Sequence, residues 1–243
     1  MDKLMKISDN RGYDHIARFH GVTDWFCWHH SRNYRNTLQV ELFLPWHRAY
    51  LKWLEDHFRD FDSTIGQCWW DWTSELSHSE GIPRAYSEEN VNGSPNPLYK
   101  FHISEPGVNT NGLPQTDPID EDTFRDPRPL SILPTPRDVE NLLLLEDFVY
   151  FSKQLEDLHD RIHGWIGGSM SDIGTAAFDP IFYAHHANID RIWYMWQIRH
   201  GNSTIPSEWL DLSLAPFPYT FRQVLNISTL GYDYATISAE IIL

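Results

Sequence analysis

The sequence predicts a mainly α protein: an all-α core with long peripheral loops and little β structure. Three observations carry this. Apolar residues recur at helical spacing in three long segments, coils rich in proline and glycine separate them, and strand-like alternation is scarce. The chain has 243 residues and abundant Trp, Tyr and Phe, enough for a sizeable core. Its formal charge of −15 disfavours nucleic acid, which needs a basic stripe, and anionic membrane surfaces; it favours neutral or weakly charged ligands.

The elements follow in order. Tyr13 to His20 reads as a short helix closed by Gly21. A stronger helix runs from about Pro45 to Phe61, with proline suited to its start and Ala49, Leu51, Trp53, Leu54 and Phe58 as apolar faces. Cys68-Trp69-Trp70-Asp71-Trp72 is a compact aromatic anchor. Prolines, glycines and asparagines from Ser74 to Arg137 mark a long irregular excursion, either a lid or a wrap around the core. Helical patterning returns from Asp138 to His163, broken near Glu146-Asp147. Asp179 is suited to N-cap and Pro180 to open a helix reaching about His200. The last forty or so residues are mixed, with a β-like Thr, Ile and Tyr content.

Two cysteines, Cys27 and Cys68, make no disulfide framework. The start, MDKLMKISDNRGYDH, lacks the apolar centre of a signal peptide, and runs such as Leu142 to Leu145 are too short to span a bilayer. The expectation is a cytoplasmic protein.

The histidines carry the chemistry. His159 and His163 lie four apart, so on a helix both imidazoles converge on one ion. A zinc-protease reading needs Glu after the first histidine, where this chain has Asp160. Glu156-x-x-His159 is half of a di-iron carboxylate motif whose second copy is absent. Downstream, Phe182, His186, Ile189, Trp193 and Trp196 form one buried stripe, while His185 is turned by about 100°. We therefore read His186 as a ligand and His185 as a packing residue beside it. Alone, His186 would be a core histidine; His159 and His163 make it part of a metal site. A second set lies upstream: His20 ends one helix, His47 begins another, and either His29 or His30 could complete three ligands. His57 is displaced from His47 by about 15 Å and 80° on the same helix. His15, His78, His102 and His200 have no partner pattern and read as solvated. Two sets indicate two ions of an imidazole-binding metal: Zn, Cu, Fe or Ni.

Phe43-Leu44-Pro45-Trp46-His47-Arg48, with Trp70-Asp71-Trp72 behind it, resembles the first copper region of tyrosinases and catechol oxidases. Leu158-His159-Asp160-Arg161-Ile162-His163-Gly164-Trp165 is similar to the start of the second region. Asp179 to Arg191 (DPIFYAHHANIDR) resembles its end, and Gly231-Tyr232-Asp233-Tyr234 the Tyr-x-Tyr element that closes the catalytic domain. The resemblance covers roughly Tyr13 to Arg199. It implies a four-helix bundle enclosing a dicopper site, in one catalytic domain over residues 1–243 with no C-terminal plug domain. It assigns His20, His29 (or His30) and His47 to the first copper, and His159, His163 and His186 to the second. Cys27-Trp28-His29 matches a family Cys-x-His pattern, sometimes joined by a thioether, and favours His29. An insertion at about 33–40 leaves the choice open.

The same resemblance suggests roles around the coppers. Asp190, one turn after His186, is expected to accept a hydrogen bond from a ligand imidazole, with Phe182 and His185 packed beside the site. Glu156 matches a family glutamate that holds a water near the site. Asp160 stands where efficient tyrosinases often carry Asn; an ionised Asp only accepts hydrogen bonds, which disfavours hydroxylation of monophenols. Ile173 falls at a gate position, where a branched aliphatic predicts an accessible site. Without a plug the enzyme is expected to be constitutively open, or served by a separate copper-delivery protein. The implied function is oxidation of o-diphenols, with or without hydroxylation of monophenols, to o-quinones by dioxygen. Alternatives are an o-aminophenol oxidase on the same dicopper core and a haemocyanin-like dioxygen carrier.

Overall fold

The computed structural model describes residues 1–21, 42–104 and 120–234. The expectations for Cys27, His29 and His30, and for the insertion near 33–40, fall outside these residues. Helices dominate: α1 (Asp2–Met5), α2 (Tyr13–Ala17), α3 (Phe43–Arg59), α4 (Glu75–Glu80), α5 (Arg84–Ser87), α6 (Pro136–Leu143), α7 (Phe148–Ile166), α8 (Ile181–His200), α9 (Phe221–Val224) and α10 (Ile227–Leu230). Strands β1 (Asn90–Val91) with β2 (Ser94–Pro95), and β3 (His102–Ile103) with β4 (Glu121–Asp122), make two antiparallel pairs of two residues each. No helix is long and apolar enough to cross a membrane among the described residues.

Helix α8 is the axis of the fold. Every residue from Ile181 to Trp193 is buried, so the helix is enclosed on all sides rather than amphipathic, with its histidines and Asp190 inside. Its start is set by Asp179, whose Oδ1 accepts the Ile181 N–H at 3.2 Å while both carboxylate oxygens take the Arg125 guanidinium. Helix α3 packs most extensively against α8. It begins at Phe43, two residues before the predicted start, and Pro45 sits in its first turn, where a missing N–H is harmless. Helix α7 opens at Asp147, which accepts the Tyr150 N–H at 2.8 Å, and closes at Gly167. The predicted break near Glu146-Asp147 is thus the gap between α6 and α7.

The aromatic anchor is seated on this core: Trp70 and Trp72 are buried, and the Trp70 N–H donates to the Ala184 carbonyl of α8 at 3.0 Å. The described part of the excursion after Ser74 is a wrap. Arg125 ties it to Asp179, and none of its described residues lines the cavity over the histidines. The β-like composition near the C-terminus makes only one isolated bridge, Ser213 to Thr220, within the described residues, which also form α9 and α10 there. Short Thr- and Ile-containing runs there are capped as helices, at Thr220 by Gln223 and at Asn226 by its own side chain.

Candidate metal centre

Helical spacing brings the second histidine set together. His159 and His163 sit one turn apart on α7 with ring centroids 4.4 Å apart, and α8 delivers His186 between them. The Nε2 atom of His186 lies 3.2 Å from that of His159 and 3.4 Å from that of His163. His163 Nδ1 donates to the Met170 carbonyl at 2.7 Å, and His159 Nδ1 lies 3.0 Å from Asp160 Oδ1. Those bonds place the protons on Nδ1 and the lone pairs on Nε2. His186 Nε2 could donate to only one of its two neighbours, so the convergence fits a cation among the three nitrogens. Burial pushes His163 down to about 4 and holds His185 and His186 well below the ordinary imidazole value. All three are neutral at pH 7, the metal-binding form.

His185 is also buried at the centre. It stacks on His159 at 5.1 Å and 14°, and meets His163 edge-on at 5.0 Å. The four imidazoles of His159, His163, His185 and His186 offer nitrogens within 4.8 Å of one another. Proximity therefore does not separate His185 from His186. The shared direction of the Nε2 atoms does, in favour of His186.

The first set faces the second. His47 stacks on His186 at 4.2 Å and 14°, and His20 lies 5.7 Å from His47, both buried. His47 Nδ1 donates to the Phe43 carbonyl one turn back at 2.9 Å. His20 Nδ1 lies 3.3 Å from the Ile173 carbonyl. That approach depends on Gly21, at φ +86°: a Cβ there would fall 2.1 Å from the Ile173 oxygen. Phe182 packs 4.1 Å from His186 and 4.8 Å from His20, and Phe43 packs 4.8 Å from His159 and 5.0 Å from His47. The two rings wall the centre with apolar surface.

A cavity of about 260 Å³ opens over the histidines, lined by His20, His159, Asp160, His163, Ile173 and their neighbours. The Asp160 side chain is 60% exposed, and its carboxyl is pushed up to about 6 by desolvation and by Asp157. Glu156, half-buried on α7, is not among the residues lining this cavity. The expectation for Asp190 needs correction. Its carboxylate accepts from Arg48, Tyr232 and Tyr234, not from a ligand imidazole, because Arg48 reaches it first across the α3–α8 contact. The histidines read as solvated are partly engaged: His78 bonds the Pro134 carbonyl, His200 that of Leu143, and His102 lies between Asp120 and Asp122.

Sequence reasoning missed three parts of the centre. The Phe43 carbonyl was findable, since a helical histidine can donate to the carbonyl four residues back, as His57 does to Trp53. The Met170 and Ile173 carbonyls were not, because Met170 lies in a short 3-10 turn and Ile173 in a loop, neither marked by a sequence period.

Facing histidine sets on packed helices define a class, the binuclear metal proteins of helical core; comparison with known proteins identifies the metal. Residues 10–199 match the family model described as the common central domain of tyrosinase. The chain belongs to this family of type-3 dicopper proteins, whose members bind two copper ions and dioxygen. It is 32% identical over 208 residues to hemocyanin units G and H of Sepia officinalis, covering 76% of this chain and 32% of that protein. It is 29% identical to hemocyanin beta-C chain unit D of Helix pomatia, covering 80% and 46%. The chain thus spans less than half of either relative. Among solved structures, a functional unit of octopus hemocyanin superposes with a TM-score of 0.74 at 28% identity, over 97% of this chain and 63% of that one. A tyrosinase of Burkholderia thailandensis shares the fold with a TM-score of 0.77 at 19% identity, over 98% and 70%.

Proposed function

We propose that this protein oxidises o-diphenols to o-quinones with dioxygen. The observation that carries the reading is the cavity over the second histidine set, which brings ligand imidazoles within reach of a ring-sized molecule. His20, His47 and a histidine of the 29–30 pair would hold one copper; His159, His163 and His186 would hold the other. When bound, the copper pair supplies the two-electron exchange between a diphenol and dioxygen that neither partner performs readily alone.

The chain's own groups do the rest. Nδ1 bonds to Met170, Phe43 and Asp160 orient the imidazoles so that Nε2 faces the metal. Phe43 and Phe182 keep the centre dry, which strengthens its electrostatics. Ile173 and Asp160 stand where an incoming ring must pass, the first setting width and the second, an acceptor only when ionised, biasing the site towards diphenols.

The 29–32% identity to hemocyanin units favours a second reading, a dioxygen carrier on the same centre. Oxygen uptake by the copper-loaded protein with a catechol, an o-aminophenol and a monophenol, side by side, separates the cases. Sustained uptake fastest with the catechol is expected. Uptake fastest with the aminophenol would move the substrate class, and none with any ring would replace the oxidase by the carrier.

A further inference from the structure

Of the histidines whose hydrogen bonds place them, His20, His47, His159 and His163 each present Nδ1 to an oxygen. His186 differs. Its Nδ1 is buried and has no hydrogen-bond partner among the described residues. The ring nonetheless stacks on His47 and lies close to both second-set nitrogens, so its position is set by where α8 sits against α3.

One buried pair fixes that relation. Arg48 directly follows His47 on α3, and Asp190 lies one turn after His186 on α8. Arg48 Nε donates to Asp190 Oδ1 at 2.5 Å, with the two side chains 0% and 3% exposed. The guanidinium is held on its other sides by Gln197 Oε1 at 2.9 Å, by the Val224 carbonyl at 3.1 Å, and by the Trp193 ring face at 3.6 Å. Asp190 Oδ2 accepts the hydroxyls of Tyr232 at 2.8 Å and Tyr234 at 2.5 Å. Tyr234 also donates to the Ala187 carbonyl, so the Tyr-x-Tyr element grips the turn of α8 that follows His186.

We propose that Arg48, Asp190, Tyr232 and Tyr234 are positioning residues that set the separation of the two copper half-sites. Replacing a buried ion pair by a mere packing contact often leaves stability unchanged, so stability alone gives no reason for charges here. A charged fork gripping a carboxylate has one strongly preferred geometry, and geometry is what two facing half-sites require. The inference rests on the family's dicopper centre and not on the oxidase reading; it holds equally for a carrier.

The test uses the copper-loaded protein with copper content and the Cu(II) EPR signal as readouts. Two Cu(II) ions at bridging distance couple and lose their EPR signal, so signal intensity reports separation and not folding. Asp190→Asn is expected to retain folded structure by circular dichroism, to bind copper about 10-fold more weakly at both half-sites, and to show EPR-visible Cu(II) absent from the parent. Arg48→Lys, which keeps charge and loses the fork, should fall between the two. If Asp190→Asn does not fold, Tyr232→Phe/Tyr234→Phe decides, since it leaves the ion pair in place and frees only Oδ2; a weaker signal of the same kind is expected. A folded variant with full copper and an EPR-silent pair, whatever its melting temperature, would overturn the proposal. So would a loss confined to one half-site.

Discussion

The two histidine sets reach the same centre by different means. The second rides on two continuous helices, α7 and α8, where helical spacing brings the imidazoles together. The first is assembled from a turn and a helix start: His20 lies past the end of α2, and His47 lies in the opening turns of α3. A helix carries its ligand rigidly; a turn must be held. His20 is held by a close backbone approach at Gly21, and His163 by a whole helix with one face buried along its length. The lesson is that the first half-site should be the more fragile to backbone change, and the second to loss of a side chain.

The largest effect tests the second set. His163→Ala is expected to remove about half the copper per chain and to abolish oxygen uptake with catechol, while α7 stays folded. Unchanged copper by elemental analysis would place that ion elsewhere.

Acid should act on the same half of the copper-free protein. His163 has a folded value of about 4 against an unfolded value near 6.5, so below 6.5 the unfolded chain binds the extra proton first. Stability is present above about 6.5 and is lost as pH falls towards 4, by up to about 3 kcal/mol for this group. His185 and His186 shift in the same direction. Melting curves across that window that do not move would contradict the burial of these rings as neutral groups.

Gly21→Ala probes the other half. A Cβ at φ +86° beside the Ile173 carbonyl is expected to cost about 1–3 kcal/mol and to lower the melting temperature by several degrees. Its copper loss should fall on the first half-site, which EPR of the remaining single ion reads directly. Loss from the second half-site instead would erase the contrast between the sets.

Smaller effects belong to the cavity mouth they share. Ile173→Phe narrows it and should raise KM for a ring-substituted catechol by about 10-fold, with kcat for catechol itself nearly unchanged. Asp160→Asn substitutes a group that both donates and accepts, and is expected to raise the ratio of monophenol to diphenol turnover by a few-fold. A ratio that stays fixed would remove Asp160 from the discrimination between monophenols and diphenols.

Much of this was legible before any coordinates. The 4-3-4-3 stripe of α8 singled out His186, the gap at Glu146-Asp147 separated α6 from α7, and the Pro45 signal located α3 to within two residues. Asp190 shows where reading along one helix stops. One turn from His186 it looked like an acceptor for that ring, yet its partner comes from a helix 142 residues away in sequence. The excursion after Ser74 could not be sorted into lid or wrap by composition, because Arg125 gives no local sign that Asp179 awaits it.

What the sequence alone determined is whatever repeats with the period of a helix: the positions of α3, α7 and α8, and the pairing of His159 with His163. Periodicity is a local property, and each residue carries its share of it. What only the tertiary structure decided is how those helices face one another, and so the stacking of His47 on His186, the carbonyl that orients His20, and the partners of Asp190. These are contacts between segments far apart in the chain, set by packing and by the need to satisfy buried charge, and no window along the sequence contains both of their sides.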